Sequence, residues 1–267
     1  MLHADRAMNT LVFDIETVPD VEYGRRLLEL PDSLADADVA RAMFTLRREQ
    51  TGSEFLPVEQ QRVVAIACAL RHGDSLKVWS LGDPDSPERE LLLRFFDGIE
   101  RFTPELVSWN GSGFDLPVLH YRCLRHGVAA PRYWEHGDSD SAFRYNNYLG
   151  RFHWRHIDLM DVLAGYQVRG RASLANVAAL LGLPGKLGFS GDQVWDAWRH
   201  GEYLAVRRYC ETDVLNTWLI YLSFQRMRGL LDEGQWRAEC ERLRQMLRAS
   251  SEPHHAEFLA QWPQPPN

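Results

Sequence analysis

The sequence predicts an α/β protein with a mixed five-stranded sheet flanked by helices. Short apolar runs, such as residues 63–70, have the length of buried strands. Between such runs lie segments in which apolar side chains recur at helical spacing, as in residues 88–101. The turn His72-Gly73-Asp74 joins two strand-like runs and predicts a hairpin. Because strands also alternate with helices along the chain, we expect one sheet with parallel and antiparallel neighbours, covered by helices.

Each element has a local signal in the sequence. The predicted strands are residues 10–15, 63–70, 76–81 and 105–110, with an edge strand at 151–157 where Phe152, Trp154 and Ile157 alternate imperfectly. The predicted helices are residues 37–50, 88–101, 116–126, 158–165, 173–182, 191–199, 202–228 and 231–248. The helix at 37–50 lies in an insertion, residues 18–61, after the first strand. The sequence thus predicts that a long insertion follows the carboxyl end of the first strand.

Length and composition describe a globular chain. The 267 residues, 45% of them hydrophobic, are enough for one large domain. We expect residues 1–228 to form that domain and residues 229–267 to add a helix and a tail, loosely held from about Ser250. The four cysteines are scattered without a Cys-x-x-Cys pair, which is typical of thiols in a reducing compartment. No apolar stretch approaches the roughly 18 residues of a membrane helix and no secretory core opens the chain, so we expect a cytoplasmic protein.

Two acidic residues end the first predicted strand, in the segment Phe13-Asp14-Ile15-Glu16-Thr17. Strand side chains alternate between faces, so Asp14 and Glu16 point the same way. Neighbouring carboxylates repel by about 1 kcal/mol at 4 Å in water and by more in a drier site, which favours a bound cation. Oxygen ligands favour Mg²⁺ or Mn²⁺. A polar turn at the end of a strand explains the same residues equally well.

Two further segments carry acidic residues beside predicted elements. Asn110 ends a predicted strand, and Phe114-Asp115 precedes a predicted helix, where Asp115 is also suited to a plain cap. Tyr209 and Asp213 lie one turn apart on the predicted helix 202–228. The apolar face of that helix places Asp213 at or beside the buried side, where a carboxylate needs a cation or hydrogen bonds. An aspartate that caps a helix is common, and so are a tyrosine and an aspartate one turn apart on a helix surface.

The three segments together resemble the exonuclease motifs of the DEDD superfamily of 3′→5′ exonucleases, tyrosine subclass. Asp-x-Glu, Asn-x-x-x-Phe-Asp and Tyr-x-x-x-Asp occur here in that order, and Arg208 stands where the histidine subclass would need a histidine. The segments Ser173-Leu174, Leu181-Gly182 and Gly185-Lys186 are also similar to the proofreading domain of family-B DNA polymerases. The resemblance covers residues 10–228 and points to bacterial stand-alone exonucleases related to that domain. It implies a ribonuclease-H-like fold.

The resemblance also implies the roles of single residues. Two divalent ions, Mg²⁺ or Mn²⁺, would activate a water and neutralise the charge on the phosphate. The implied ligands are Asp14, Glu16 and Asp213 for one ion, with Asp14 also touching the second and Asp115 acting through water. The hydroxyl of Tyr209 would orient the attacking water. The backbone near Thr17 would meet the terminal 3′ hydroxyl, and Phe114 and the Asn110 region would line the last nucleotide.

The predicted partner is the 3′ end of a single-stranded nucleic acid, with DNA preferred over RNA. A net charge of −7 excludes a protein that coats long duplexes, but two bound divalent ions would add four charges and bring it to −3. Two alternatives are an exoribonuclease of the same mechanism and a non-catalytic module that binds nucleic acid or a polymerase. Association in trans with a polymerase or a repair factor is expected for a proofreading role, and the sequence leaves the oligomeric state open.

A segment between the predicted helix 116–126 and the edge strand interleaves aromatic residues with arginines. Tyr145 and Tyr148 lie in it, close to Phe143-Arg144. Aromatic side chains that stack on bases contribute roughly 1–3 kcal/mol each, while arginines follow the phosphate backbone. The segment is therefore a candidate for binding single strands. Aromatic packing onto the domain is an equal alternative.

Overall fold

A five-stranded mixed sheet carries the fold in residues 9–263, the part of the chain that the computed structural model describes. The strands are β1 Asn9–Pro19, β2 Gln61–His72, β3 Ser75–Ser80, β4 Glu105–Ser108 and β5 His156–Asp158. Their order across the sheet is β3-β2-β1-β4-β5. Strand β1 is antiparallel to β2 and parallel to β4, and β5 is parallel to β4 at the edge. The predicted α/β class and the hairpin are confirmed, and the architecture is ribonuclease-H-like. An edge strand is present, but it is His156–Asp158 and not the predicted 151–157.

Helices cover both faces of the sheet. They are α1 Val21–Leu27, α2 Asp36–Thr51, α3 Glu88–Phe102, α4 Asp115–His126, α5 Pro131–Trp134, α6 Leu159–Leu163, α7 Leu174–Leu180, α8 Val194–Arg199, α9 Tyr203–Met227, α10 Glu233–Ala249 and α11 Pro253–Gln261. The eight predicted helices are all present with shifted ends, and α1, α5 and α11 are additional. Within residues 9–263, none of these helices has both the length and the apolar content needed to cross a membrane.

Strand β1 is buried on both faces, which is why its sequence is a nearly continuous apolar run. Leu11, Phe13 and Ile15 pack into the core that α3 and α4 cover. Val12 and Val18 point to the other side, where α9 packs. A bulge interrupts the pairing of β1 with β2 directly after Glu16. The two carboxylates of the first motif therefore lie on the α9 face of the central strand, beside a local distortion of the ladder.

The predicted insertion is a small helical unit. Strand β1 extends to Pro19, so the excursion runs from residue 20 to residue 60 instead of 18–61, and the Asp20 N–H donates to the Gln60 carbonyl across its base at 2.8 Å. Helices α1 and α2 pack around their own apolar cluster, which contains Val39 and Met43. The unit is fixed to the domain by Arg122 of α4, which is buried between two carboxylates. Arg122 donates to Asp20 at 2.5 Å and to Glu88 at 2.6 and 2.7 Å.

The carboxyl-terminal segment corrects the prediction of a loose tail. Residues 253–261 form α11, because a proline is well tolerated in the first turn of a helix. Phe258 is fully buried in the same core as α9, and the Arg244 guanidinium lies 3.7 Å from the Trp262 ring. Helix α10 is tied to the sheet by Glu239, which accepts two hydrogen bonds of 2.8 Å from Arg71 of β2. Residues 264–267 of the predicted tail lie outside the described residues.

Candidate active site

Four carboxylates from three elements converge at the carboxyl end of β1. Asp14 and Glu16 come from the strand, Asp115 is the first residue of α4, and Asp213 lies near the middle of α9. Asp115 does not cap its own helix with its side chain; Phe114 holds the cap position, and Asp115 Oδ1 instead accepts the Ile15 N–H at 3.2 Å. Glu16 and Asp115 are buried, and Asp14 and Asp213 are half-buried. The three motifs thus meet in space, as their order along the chain predicts.

Burial and mutual repulsion dominate the electrostatics of this cluster. Burial, followed by the charges of Asp115, Glu16 and Asp213, raises the pKa of Asp14 well above its usual range. Burial raises the pKa of Asp115 to about 7, against the hydrogen bonds that its carboxylate accepts from backbone N–H groups. The pKa of Glu16 is raised in the same way, by burial first and then by Asp213 and Asp115. Without a cation, the folded protein favours protonated carboxyl groups here.

Tyr209 sits above Asp213 and shares its environment. The Tyr209 hydroxyl is close enough to the Asp213 carboxylate for each group to shift the pKa of the other. Burial, and then the nearby carboxylates, raise the pKa of Tyr209 far above its ordinary value, so its hydroxyl stays protonated and can donate. Burial raises the pKa of Asp213 to about 6, although Tyr209 and Lys186 both act to lower it. The pair provides a fixed donor beside the carboxylates.

Two residues of the site were not assigned from sequence. Lys186, on the loop before α8, lowers the pKa of Glu16 and of Asp213 by its charge, and its Nζ lies 5.6 Å from the Tyr209 ring. Cys210 was expected to be an ordinary buried thiol, but its Sγ donates to the Asp14 carbonyl at 3.3 Å and to Oδ2 at 3.4 Å. Burial raises the pKa of this thiol strongly, so it remains a donor. Its position after Tyr209 in the third motif was the available signal.

The residues predicted to meet the terminal nucleotide lie around this cluster. The Thr17 hydroxyl is already bonded to Gln61 Oε1 at 2.9 Å, which leaves its backbone as the group for a ligand. The Phe114 ring packs against Phe55 with ring centroids 5.3 Å apart, and Phe55 is 62% exposed. Phe55 comes from the excursion after β1, and no motif in the sequence marks it. Asn110 has a left-handed backbone (φ 64°) and its N–H is held by Asp158 at 3.0 Å.

Tyr148 is a correction to the predicted strand-binding segment. Its ring is 3% exposed, is stacked on Tyr133 with centroids 5.6 Å apart, and its hydroxyl donates to the Pro104 carbonyl at 2.7 Å. The ring therefore belongs to the core and offers no face to a base, as the packing alternative predicted. Tyr145, in contrast, is 84% exposed. Both tyrosines lie in the same aromatic segment of the sequence, so only the fold distinguishes the buried ring from the exposed one.

The donor set of the cluster fits a hard divalent cation. Carboxylate oxygens from Asp14, Glu16, Asp115 and Asp213 are the ligands that Mg²⁺ and Mn²⁺ prefer. Ligand atoms of Asp14 and Glu16 lie within 4.8 Å of one another and of the Cys210 sulfur. Lys186 lowers the pKa of Glu16, but burial and the neighbouring carboxylates outweigh its charge, so more positive charge is needed to keep these carboxylates ionised. A divalent ion supplies that charge and would let the carboxylates ionise at neutral pH.

Comparison with known proteins agrees with this geometry. Residues 53–262 match the family described as predicted 3′–5′ exonucleases related to the exonuclease domain of PolB. The chain belongs to this family. The matched region contains the second and third motifs, while Asp14 and Glu16 precede it. It extends through α10 and into Trp262, past the boundary at residue 228 that the sequence predicted.

A relative of this chain is a DNA polymerase of Archaeoglobus fulgidus. The two proteins are 26% identical over 172 residues, which is 63% of this chain. The aligned part is 21% of the polymerase, so the match spans about a fifth of the relative's length.

Proposed function

We propose that the chain is a metal-dependent 3′→5′ exonuclease of the tyrosine subclass, which removes 5′-mononucleotides from the 3′ end of single-stranded DNA. The observation that carries this proposal is the convergence of Asp14, Glu16, Asp115 and Asp213 on one buried site with Tyr209 beside them. Membership of a family of predicted 3′–5′ exonucleases supports the direction of hydrolysis. The similarity to a DNA polymerase supports DNA as the substrate.

The carboxylates are the proposed ligands of two divalent ions, Mg²⁺ or Mn²⁺. Asp14, Glu16 and Asp213 would hold one ion, Asp14 would also touch the second, and Asp115 would act through water. Such ions supply an activated water and neutralise the charge that develops on the phosphate and the leaving oxygen. The hydrogen bonds from Ile15 to Asp115 and from Cys210 to Asp14 orient two of these ligands.

Other residues of the chain position the substrate. The Tyr209 hydroxyl, kept protonated by its surroundings, would hold the attacking water in line with the scissile bond. Lys186 would add positive charge beside the phosphate. The Thr17 backbone would meet the terminal 3′ hydroxyl. Phe114 and Phe55 form an aromatic pair, partly exposed, on which the last base could stack.

Digestion of matched DNA and RNA oligonucleotides, labelled at the 5′ end, tests the proposal directly. With Mg²⁺ or Mn²⁺ we expect a ladder of DNA products shortened from the 3′ end, with RNA cut more slowly. The Asp14→Ala variant, purified in parallel, should give no ladder. Faster shortening of RNA would identify an exoribonuclease instead, because tolerance of the 2′ hydroxyl depends on a few contacts at the terminal sugar. Absence of cleavage of either strand would indicate a binding module, which could act with a polymerase or a repair factor.

A further inference from the structure

A second group of side chains of the types that ligate metals lies next to the third motif, in α9 and α11. Glu211 of α9 and the adjacent pair His254 and His255 of α11 are all buried, at 8%, 7% and 2% exposure. Glu211 Oε2 lies 2.8 Å from His254 Nε2 and 3.3 Å from His255 Nε2. The three ligand atoms fall within 4.8 Å of one another. Glu211 is hydrogen-bonded to Ser80 of β3 and to His254 of α11. The Asp213 side chain instead lies beside Tyr209, so this group is separate from the carboxylate cluster.

Two nitrogens in this group, His254 Nδ1 and His255 Nε2, have no hydrogen-bond partner among residues 9–263. His255 Nδ1 is bonded to Ser250 Oγ at 2.7 Å, but Nε2 faces Glu211 in a geometry that makes no hydrogen bond. A buried polar atom left without a partner costs about 1–3 kcal/mol. A lone pair on Nε2 would lie close to the negatively charged carboxylate, whose nearest oxygen is 3.3 Å away, and a proton there would have the same direction without being aimed well enough to form a hydrogen bond. A cation between the imidazole and the carboxylate removes this conflict.

The outer partners of the three side chains resemble those of a built metal site. His255 Nδ1 meets Ser250 Oγ, and His254 Nδ1 lies 3.9 Å from the Glu252 carboxylate. Glu211 Oε1 accepts a hydrogen bond of 2.6 Å from the Ser80 hydroxyl. Metal-ligating histidines usually donate their other ring N–H to an oxygen, which fixes the tautomer and turns the ligating nitrogen to the ion. Here each imidazole presents Nε2 to Glu211, and His255 Nδ1 has the Ser250 hydroxyl as its partner, whereas the oxygen nearest to His254 Nδ1 is 3.9 Å away, beyond hydrogen-bond distance.

We propose that Glu211, His254 and His255 form a structural binding site for Zn²⁺ or a similar borderline divalent ion. Two imidazole nitrogens select Zn²⁺ over Mg²⁺, which prefers oxygen ligands only. Three protein ligands leave a fourth position for a water. Ligand atoms about 2.1 Å from a tetrahedral ion lie about 3.4 Å apart, which matches the 3.3 Å separation of His255 Nε2 and Glu211 Oε2.

Binding requires one small adjustment and releases one proton. The 2.8 Å hydrogen bond between His254 Nε2 and Glu211 Oε2 must widen by about half an ångström as its proton gives way to the ion. The ion then joins the N-terminus of α11 to the middle of α9, two residues from Asp213. Its role is to hold α11 against the helix that carries the third motif, independently of whether the carboxylate cluster hydrolyses DNA.

Cobalt uptake tests the site without any activity measurement. The Asp14→Asn/Asp213→Asn variant, stripped with a chelator, lacks two ligands of the carboxylate cluster and retains the imidazoles. We expect it to bind one Co²⁺ with the visible absorption of a nitrogen-ligated ion, and Zn²⁺ to displace the colour. Zn²⁺ should also raise the thermal midpoint of this variant, whereas Mg²⁺ should not. No coloured complex would mean that the group is only a hydrogen-bonded His–carboxylate cluster, and the proposal would be overturned.

Substitutions locate the ion. In the same background, His254→Gln or His255→Gln should abolish Co²⁺ binding, and undiminished binding would place the ion elsewhere and overturn the proposal. If these variants do not fold, Ser250→Ala replaces them, because it removes only the oxygen beside His255 Nδ1. Loss of such an outer partner lowers metal affinity about 10- to 100-fold. Ser251→Ala, at the exposed neighbouring position, is the matched control, and equal affinities of these two variants would also refute the site.

Discussion

Asp115 Oδ1 accepts the backbone N–H of Ile15 at 3.2 Å, so the second motif is hydrogen-bonded to the strand of the first, midway between Asp14 and Glu16. One oxygen of the carboxylate is used in this contact, and the other is left for a ligand or a water. The bond fixes the start of α4 against β1 and sets the spacing of three acidic side chains. That spacing adds mutual repulsion to the effect of burial, and both raise the pKa values of Asp14 and Glu16.

Loss of a carboxylate should remove hydrolysis but not folding. Asp14→Ala or Asp213→Ala should lower the cleavage rate by about 10³-fold or more, beyond the usual effect of one preorganised donor. The metal-free variants should be at least as stable as the wild type, because one repelling charge is gone. Oligonucleotide digestion and thermal denaturation measure the two effects. Asp97→Ala, on the exposed side of α3, is the matched control, and near-normal cleavage by the Asp14 variant would refute the ligand assignment.

Tyr209→Phe should be milder. The change removes one donor to Asp213 and to the proposed attacking water but no ligand, so kcat should fall roughly 10- to 100-fold, the equivalent of one hydrogen bond to a charged group. Steady-state kinetics on a DNA oligonucleotide gives this ratio, with Tyr203→Phe at the start of the same helix as the control. A loss as complete as that of Asp14→Ala would assign the hydroxyl a larger role than orientation.

The metal-free protein should lose stability as the pH rises. The pKa of Asp115 is about 7 in the folded state and about 4 when unfolded, so the unfolded chain ionises first and is favoured between those values. Asp115→Asn keeps the shape and cannot ionise. The stability of the wild type relative to this variant should therefore fall by up to about 4 kcal/mol from pH 4 to pH 7. Urea denaturation in a chelator measures the difference, and saturating Mg²⁺ should reduce it. A constant difference would contradict the raised pKa of Asp115.

The enzyme should require a free 3′ end. A 3′ phosphate would bring extra negative charge and bulk against Glu16 and block the reaction, whereas a 5′ phosphate should have no effect. A closed single-stranded DNA circle should survive at enzyme levels that consume its linear form, which gel electrophoresis resolves. Nicking of the circle that disappears in Asp14→Ala would reveal an endonuclease at the same carboxylates.

Tyr145 and Tyr148 should now behave differently. Tyr148→Ala should destabilise folding by about 3–5 kcal/mol, as for other large aromatic side chains in a core. Tyr145→Ala should leave stability unchanged, and if the exposed ring stacks on a base it should raise KM for long strands by a factor equivalent to about 1–3 kcal/mol. Thermal denaturation and kinetics on strands of increasing length separate the two. An unchanged KM for Tyr145→Ala would leave this segment with a packing role only.

The strands and helices were predictable where burial repeats along the chain. Strand β1 is buried on both faces, and its sequence is an apolar run. In α3 the apolar residues recur with the helical period. The edge strand was predicted at 151–157 but is only His156–Asp158, because Phe152 and Trp154 alternate without being buried by the sheet. Helix α11 was not predicted, although Pro253 is suited to the first turn of a helix.

The acidic residues of the candidate site could be proposed from the sequence because the three motifs that contain them resemble those of a known family. Contacts between segments that are far apart in the sequence have no local pattern from which they could be predicted. Glu211 and His254 are 43 residues apart and meet only once α11 has packed on α9. Phe55 reaches Phe114 only because the excursion after β1 folds back.

The ion pair between Arg71 of β2 and Glu239 of α10 has a consequence for how the protein unfolds. Both side chains are buried, and α10 and α11 supply Leu243, Leu247 and Phe258 to the core on the α9 face of the sheet. These helices therefore belong to the same cooperative unit as the central strands, and they cannot open first at little cost. Amide hydrogens of α10 should exchange with solvent as slowly as those of β2. The smallest folding unit then extends to Trp262, well past the last catalytic motif.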